Sequence, residues 1–325
     1  MTMLIQNPNS NRENPFRSVY DNPEFVSILQ NTHRLPSFPF LVDIELTNHC
    51  NLSCIMCPRH AMKRDKGFMS GEIFKRVVEE CAQHSTPIRL IRFGEPFLHP
   101  KIVEFCRYAK SNDLMVHITN NGLVIKETDM QALVDLAVDS IIFSFQGTTR
   151  ERYQTIRNNC MYDKLVHTIK RLVEIRGDRE KPFIHVSTTV LDDSKMEIGQ
   201  FVDNWATVVD SVGVGRTLLY TIPTDDLEPS LAKKIRELRR SETIKRVYGP
   251  CREVFQKLSV DWDGTITCCC GDFDRLLAVG HIRKSSLSHV WNNSRRLAIY
   301  RELLEAREHK SLKLCSTCYP TYEEI

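Results

Sequence analysis

Three cysteines fall in one short array, Cys50-Asn51-Leu52-Ser53-Cys54-Ile55-Met56-Cys57. Three thiolates from a single loop can wrap three irons of a [4Fe–4S] cube and leave the fourth iron without a protein ligand. Such an iron can chelate the amine and carboxylate of a small molecule and pass it an electron. A cube held by four cysteines, by contrast, stores or relays electrons. The competing chemistry is a tetrahedral zinc site, with His49 or His60 as the fourth ligand.

A second group lies near the C-terminal end. Cys251 is followed after twelve residues by Gly264, after four more by Cys269 within the triplet Cys268-Cys269-Cys270, and later by Cys315-x2-Cys318. Val260-x-Trp262-Asp263-Gly264-x-Ile266 has the form of a hairpin whose Asp-Gly turn presents the cysteines that follow. Four thiolates from this hairpin and the distant CxxC can close a second, fully ligated cube suited to electron transfer. A zinc ribbon or a purely structural iron–sulfur staple would use the same residue types. Neighbours in an extended segment point to opposite faces, so the three consecutive cysteines cannot all ligate one cube. Nine of the 12 cysteines belong to the two groups, leaving Cys81, Cys106 and Cys160 as scattered singles.

The elements that must position these groups are legible from periodicity. Short β-rich runs at Phe40–Leu46, Ile88–Phe93, Met115–Thr119, Ser140–Phe145, Ile184–Val190 and Val212–Leu218 alternate with apolar stripes at helical spacing. The stripes are Ile73, Val77 and Cys81; Ile102, Phe105 and Ala109; Met130, Leu133 and Ala137; Leu165, Ile169 and Leu172; and Ile198, Phe201, Trp205 and Val208. Six βα units with right-handed crossovers build either an open barrel or a doubly wound sheet, with chemistry at the carboxyl ends of the strands.

The alternation breaks near Pro223–Pro229, and a basic helical stretch, 231–246, follows. The expected organisation is a polar N-terminal extension (1–38), a barrel core (39–225), a linker helix (226–250) and a small cluster domain (251–325). The charge balance, 44 Lys and Arg against 41 Asp and Glu, is too even to suggest a nucleic-acid or membrane footprint. The polar, Asn-rich beginning has no signal-peptide core, and no stretch nears the ~18 apolar residues of a membrane span, so a cytoplasmic protein is expected.

Read together, the motifs resemble the radical S-adenosylmethionine superfamily over nearly the whole chain from about residue 40. Cys50-x3-Cys54-x2-Cys57 matches that family's signature, with Met56 where an aromatic residue is usual. Arg92-Phe93-Gly94-Glu95-Pro96 is similar to its Gly-Gly-Glu-Pro motif, with Phe93 in place of the first glycine. Thr119-Asn120-Asn121-Gly122 and Phe143-Ser144-Phe145-Gln146-Gly147 resemble its Thr-Asn-Gly turn and Ser-Leu-Asp-Gly segment, and Tyr153-x3-Arg157 its Tyr-x-x-x-Arg. The resemblance implies a partial (β/α)6 TIM-like α/β barrel. It also implies S-adenosylmethionine held by Gly94, Glu95, Asn120, Ser144 and Arg157 over a [4Fe–4S] cluster on Cys50, Cys54 and Cys57. The second group resembles the SPASM domain, including Gly280-His281-Ile282 and Leu287-x3-Trp291. No cysteine follows Cys318, so it looks like the truncated "twitch" form with a single auxiliary cluster on Cys251, Cys269, Cys315 and Cys318. The Gly-x4-Cys spacing favours Cys269 within the triplet.

Similarity to twitch-containing dehydrogenases of the 2-deoxy-scyllo-inosamine dehydrogenase type implies an oxidoreductase. In this reading a 5′-deoxyadenosyl radical takes hydrogen from a secondary alcohol of a sugar, aminocyclitol or nucleotide-linked sugar, and the auxiliary cluster accepts the remaining electron. A flavodoxin- or ferredoxin-type donor would reduce the first cluster, and Arg216 at the end of the sixth strand would contact or deprotonate substrate. Two rivals share the machinery. A radical epimerase would quench the substrate radical with Cys160, Cys268 or Cys270. A peptide-modifying maturase is ranked lower because many carry an N-terminal recognition domain longer than the 49 residues that precede Cys50 here.

Overall fold

Ten strands make one sheet: β1 (Met3–Gln6), β2 (Leu41–Ile44), β3 (Ile88–Leu90), β4 (Val116–Asn120), β5 (Ser140–Ser144), β6 (Phe183–Val190), β7 (Ser211–Arg216), β8 (Lys257–Val260), β9 (Thr265–Thr267) and β10 (Ala278–His281). The computed structural model describes residues 3–28, 34–191, 193–216, 219, 222–225, 227–239 and 251–318, with the backbone alone at Arg216 and Thr317. Strands β2 to β7 are parallel neighbours in chain order. With no reversal of order, every crossover turns the same way and the strands curl as a partial barrel; a doubly wound sheet would reverse at a switch point. The six strands lie within a residue or three of where the apolar runs predict them.

The predicted stripes cover the sheet. Helix Gly71–Gln83 is capped by Ser70, whose hydroxyl accepts the Ile73 N–H, and it buries Ile73, Val77 and Cys81. Helices Ile102–Ser111, Glu127–Asp135, Tyr162–Arg176 and Lys195–Trp205 do the same with their apolar faces, the last opened by a Ser194–Glu197 capping box. Ala137 and Val208 depart from their expected stripes: their helices end at Asp135 and Trp205, Ala137 sits in the left-handed region at φ 50°, and Val208 lies in the turn that follows. Cys81 and Cys106 are fully buried in helix faces and behave as small apolar side chains.

The sheet order is β1-β7-β6-β5-β4-β3-β2-β8-β9-β10. Beyond β2 the sheet continues into the C-terminal segment, because β8 pairs parallel with β2 in the register Leu41↔Lys257 to Ile44↔Val260. The Asp263-Gly264 turn then returns the chain antiparallel as β9, with Gly264 at φ +98°, where a Cβ would come within 2.7 Å of Ile282. The cysteine triplet therefore leaves β9 close to the barrel wall.

The N-terminal segment carries elements that its polar composition did not suggest. β1 pairs antiparallel with β7, Asn7 Nδ2 donates to the Val209 carbonyl at 2.9 Å, and Phe16 is buried edge-on to the His117 ring. The basic helix runs Pro229–Arg239, and residues 240–246 of its expected span lie outside the described residues. Its Ile235 packs with Leu219 and Ile222 in a small second core that also touches Met56, while Lys233 and Arg236 face solvent. Among the described residues no helix is long and apolar enough to cross a membrane.

Candidate active site

The loop after β2 is folded by its own polar side chains before the cysteines begin. Thr47 Oγ1 donates to the Gly67 carbonyl at 2.6 Å and accepts the His49 N–H at 3.1 Å; Asn48 donates to Asp65 O and accepts the Gly67 N–H. The cysteine loop is then tied to the barrel by the Ile55 N–H, which donates to the Ile156 carbonyl at 2.9 Å. The next loop, after β3, comes so close that a Cβ on Gly94 would lie 1.8 Å from the Thr47 carbonyl oxygen, and the Glu95 N–H donates to His49 O at 2.8 Å. Only glycine fits that approach.

These loops enclose a cleft of about 200 Å3 at the carboxyl ends of the barrel strands, and every sequence-predicted residue of the first site lines it: Cys50, Cys54, Cys57, Gly94, Glu95, Asn120, Ser144 and Arg157. Their roles within it differ. Glu95 is 2% exposed, and its two oxygens accept the Phe97 N–H at 3.1 Å and the Asn121 N–H at 2.7 Å. Burial raises its carboxyl to about 7 against the pull of those two N–H groups. Asn120 is likewise committed to protein, donating to Ile142 O and accepting the Gly122 N–H. Its neighbour Asn121, which sequence reasoning passed over as part of the turn, donates from Nδ2 to Asn51 Oδ1 at 2.8 Å and towards Cys50 Sγ at 3.9 Å. Arg157 is 5% exposed; Nε donates to Phe145 O at 3.2 Å, Nη1 to Cys54 Sγ at 3.5 Å, and buried Nη2 has no partner among the described residues. Arg216 ends β7 at this same end of the sheet, but its side chain lies outside the described residues.

Neither histidine offered for zinc turns to the thiols. The His49 ring stacks on Phe68 at 4.8 Å, and His60 Nε2 pairs with the Cys54 carbonyl at 2.9 Å. Among the described residues no three His, Cys, Asp or Glu side chains are gathered tightly enough for a single metal ion. A cube spreads its ligands over separate corners, which suits three thiols distributed around a cleft better than a zinc tetrahedron does. Burial raises the Cys50 thiol and pushes Cys57 up to about 11, so iron binding there must expel thiol protons. The donors aimed at sulfur, the unpartnered Arg157 Nη2 and the close Gly94 turn fit a cluster carrying an amino-acid carboxylate.

The second group assembles around the start of β8 and the end of β9. Cys251, the triplet, Cys315 and Cys318 are near enough that their charges affect one another. Cys268 is 1% exposed, with its thiol turned to the Leu277 carbonyl at 3.7 Å. Cys269 Sγ instead accepts the Gly271 N–H at 3.3 Å, and Cys270 is exposed. Burial pushes the Cys315 thiol up to about 12.

A buried charge cluster that no motif signals joins the two groups. Arg64, just beyond the first cysteines, pairs with both oxygens of Glu45 at 2.7 and 2.6 Å. Asp261, in the hairpin turn, faces Arg64 at 3.6 Å, Arg92 at 3.2 Å and Arg275 at 2.9 Å. Trp262 covers Gly67, and its Nε1 donates to Asp65 O at 3.3 Å.

Comparison with known proteins agrees with this geometry. The model of the radical SAM superfamily matches residues 44–204, and that of the SPASM iron–sulfur cluster-binding domain matches residues 251–319. A tungsten-containing aldehyde ferredoxin oxidoreductase cofactor-modifying protein from Pyrococcus furiosus is 24% identical over 78% of this chain and 80% of its own length. The chain spans only 51% and 56% of two further relatives. Among solved structures, BtrN in complex with AdoMet and 2-DOIA superposes with a TM-score of 0.54 at 17% identity, over 85% of this chain and 90% of BtrN. SuiB of Streptococcus suis bound to precursor peptide SuiA gives 0.66 at 17% identity, over 89% and 72%. At these identities the superpositions establish the fold. The chain belongs to the radical SAM superfamily, an enzyme with [4Fe–4S] clusters and S-adenosylmethionine as cofactors and an SPASM domain carrying its auxiliary cluster site.

Proposed function

We propose that this enzyme oxidises a secondary alcohol of a small polar substrate, a sugar or cyclitol, to a ketone. Bound in the cleft, the cluster and S-adenosylmethionine would supply a 5′-deoxyadenosyl radical able to take the carbinol hydrogen; the hydroxyl proton would then leave to solvent and the auxiliary cluster would accept the remaining electron. The observation that carries this reading is the contact between Arg92, in the cleft wall, and the Cys269 carbonyl at 2.8 Å. It brings the backbone at Cys269 against the wall of the cleft.

Cys50, Cys54 and Cys57 hold the first cluster; Cys251, Cys269, Cys315 and Cys318 hold the second. Arg157 offers Nη2 to the cofactor carboxylate, Gly94 lets the loop approach, and Glu95 and Asn120 brace the loops that carry Asn121 and Ser144. Thr119, Asn121, Ser144 and Gln146 line the cleft with neutral hydrogen-bonding groups, suited to hydroxyls. Arg216 at the end of β7 is the candidate for substrate contact, and a flavodoxin- or ferredoxin-type protein the candidate donor. Epimerisation needs a thiol donor at the cleft. Among the described residues its cysteines are the three of the first array, whereas Cys160 and Cys270 are exposed elsewhere and Cys268 is sequestered.

The test is anaerobic incubation of reconstituted, reduced enzyme with S-adenosylmethionine and polyols deuterated at each carbinol carbon. Ketone together with deuterated 5′-deoxyadenosine is expected. Turnover of a peptide but of no polyol or amino sugar would replace this reading with that of a peptide maturase.

A further inference from the structure

Arg92 spans both cysteine sites with one side chain. Its backbone lies two residues before Gly94 and adopts φ 123°, a left-handed value that a non-glycine residue holds only when its surroundings impose it. The side chain is 2% exposed. Nη1 donates to the Cys269 carbonyl at 2.8 Å, and Nη2 to Asp261 Oδ1 at 3.2 Å, Thr267 Oγ1 at 3.3 Å and the Asp272 carbonyl at 3.0 Å. The guanidinium also lies over the Phe93 ring, 5.1 Å from its centroid, and Phe93 meets Phe273 edge-on. One arginine thus fixes the loop that shapes the cofactor cleft to the strand end that presents Cys269.

Asp261 faces three guanidiniums, those of Arg64, Arg92 and Arg275, and Arg92 is the one that also bonds the Cys269 carbonyl; removing it takes one positive charge from a buried group that also holds the carboxyls of Glu45 and Asp272. A net negative charge beside a cluster disfavours adding an electron, and it acts strongly where water is excluded.

We infer that Arg92 is a positioning residue that couples the two sites: it holds the Cys269 strand end against the cleft wall and keeps the auxiliary cluster electropositive enough to accept an electron. The inference rests on Cys269 being a ligand of that cluster. Neutralising Arg92 lowers the auxiliary cluster's midpoint potential.

The measurement is an EPR-monitored redox titration of the whole chain, reconstituted with iron and sulfide. A Cys50→Ala, Cys54→Ala, Cys57→Ala background isolates the auxiliary signal. Arg92→Met is expected to lower its midpoint, Arg92→Lys to restore most of the shift, and Asp261→Asn to move it upward. An unmoved midpoint in Arg92→Met overturns the inference. Should Arg92→Met fail to retain auxiliary iron, Asp261→Asn decides, and an unmoved midpoint there overturns the inference. Cys269→Ala separates this failure from that of the underlying reading: a variant that keeps the auxiliary signal removes Cys269 from the ligand set, whatever Arg92 does.

Discussion

The Asn121 N–H donates to the Glu95 carboxylate at 2.7 Å, while the other oxygen of Glu95 takes the Phe97 N–H at 3.1 Å. The loop after β3 and the loop after β4 are thereby joined through one buried side chain, and Asn121 in turn reaches Asn51 beside the first cysteine. The cleft is a set of loops locked to one another through buried side chains.

That buried carboxyl gives a pH signature in the iron-free protein. Burial raises Glu95 to about 7, so the folded state holds its proton more tightly than the unfolded chain does. Stability from this group is full below the unfolded carboxyl range and is lost as pH rises through about 7, at no more than about 1.4 kcal/mol per pH unit. Thermal midpoints of wild type and Glu95→Gln, compared from pH 4.5 to 8, should diverge in slope across that window. Parallel slopes would mean Glu95 is ionised throughout.

Gly94→Ala should be among the most damaging single-methyl changes in the chain. The added Cβ would sit 1.8 Å from Thr47 O and 2.9 Å from His49 O, both backbone atoms that cannot swing aside. Loss of S-adenosylmethionine binding is expected, with the auxiliary iron retained, as read by iron content and equilibrium binding. Near-normal affinity would show that the two loops can part.

Arg157→Ala should weaken S-adenosylmethionine binding by about 1.5–3 kcal/mol, roughly tenfold to a hundredfold, the worth of one charge-assisted hydrogen bond. Isothermal titration of reconstituted protein checks it. Unchanged affinity would assign the guanidinium to Cys54 and Phe145 alone.

The motifs that stood out in the sequence are those whose constraint is local. Cys50-x3-Cys54-x2-Cys57 must come from one loop, Gly94 must be glycine for one close approach, and six apolar runs of strand length reveal the barrel. What was hidden depends on register and distant pairing. Asn120 and Asn121 are equivalent in the sequence, and only the end of β4 decides which reaches Cys50. Arg92 and Asp261 are 169 positions apart and meet because β8 joins β2, a pairing that no periodicity encodes. β1 is four residues long, too short for an alternation to register.

Replacing Cys50, Cys54 and Cys57 together by Ala should abolish S-adenosylmethionine cleavage and reduce iron from about eight to about four per chain, since each cube holds four. A wild type that stays at four irons after full reconstitution, with zinc present, would remove the second cluster.

Oxidation and epimerisation separate at the second cluster, because the four-cysteine ligation proposed for it would leave it a task only if an electron must leave the substrate. Cys315 is buried and Cys318 half-buried on one helix, Lys313–Cys318, so changing both to Ala strips one side of the auxiliary site without touching the first array. This variant should still form some 5′-deoxyadenosine, while ketone formation collapses. In the wild type, deuterium from the reacting carbon should appear in 5′-deoxyadenosine, and the product should take up no hydrogen from solvent at that carbon. An epimerase would show the reverse: solvent deuterium at the reacting carbon, lost when Cys160, Cys268 or Cys270 is replaced while both clusters persist. Mass spectrometry of product formed in deuterated water reads the outcome directly, and solvent label there would overturn the dehydrogenase reading in favour of epimerisation.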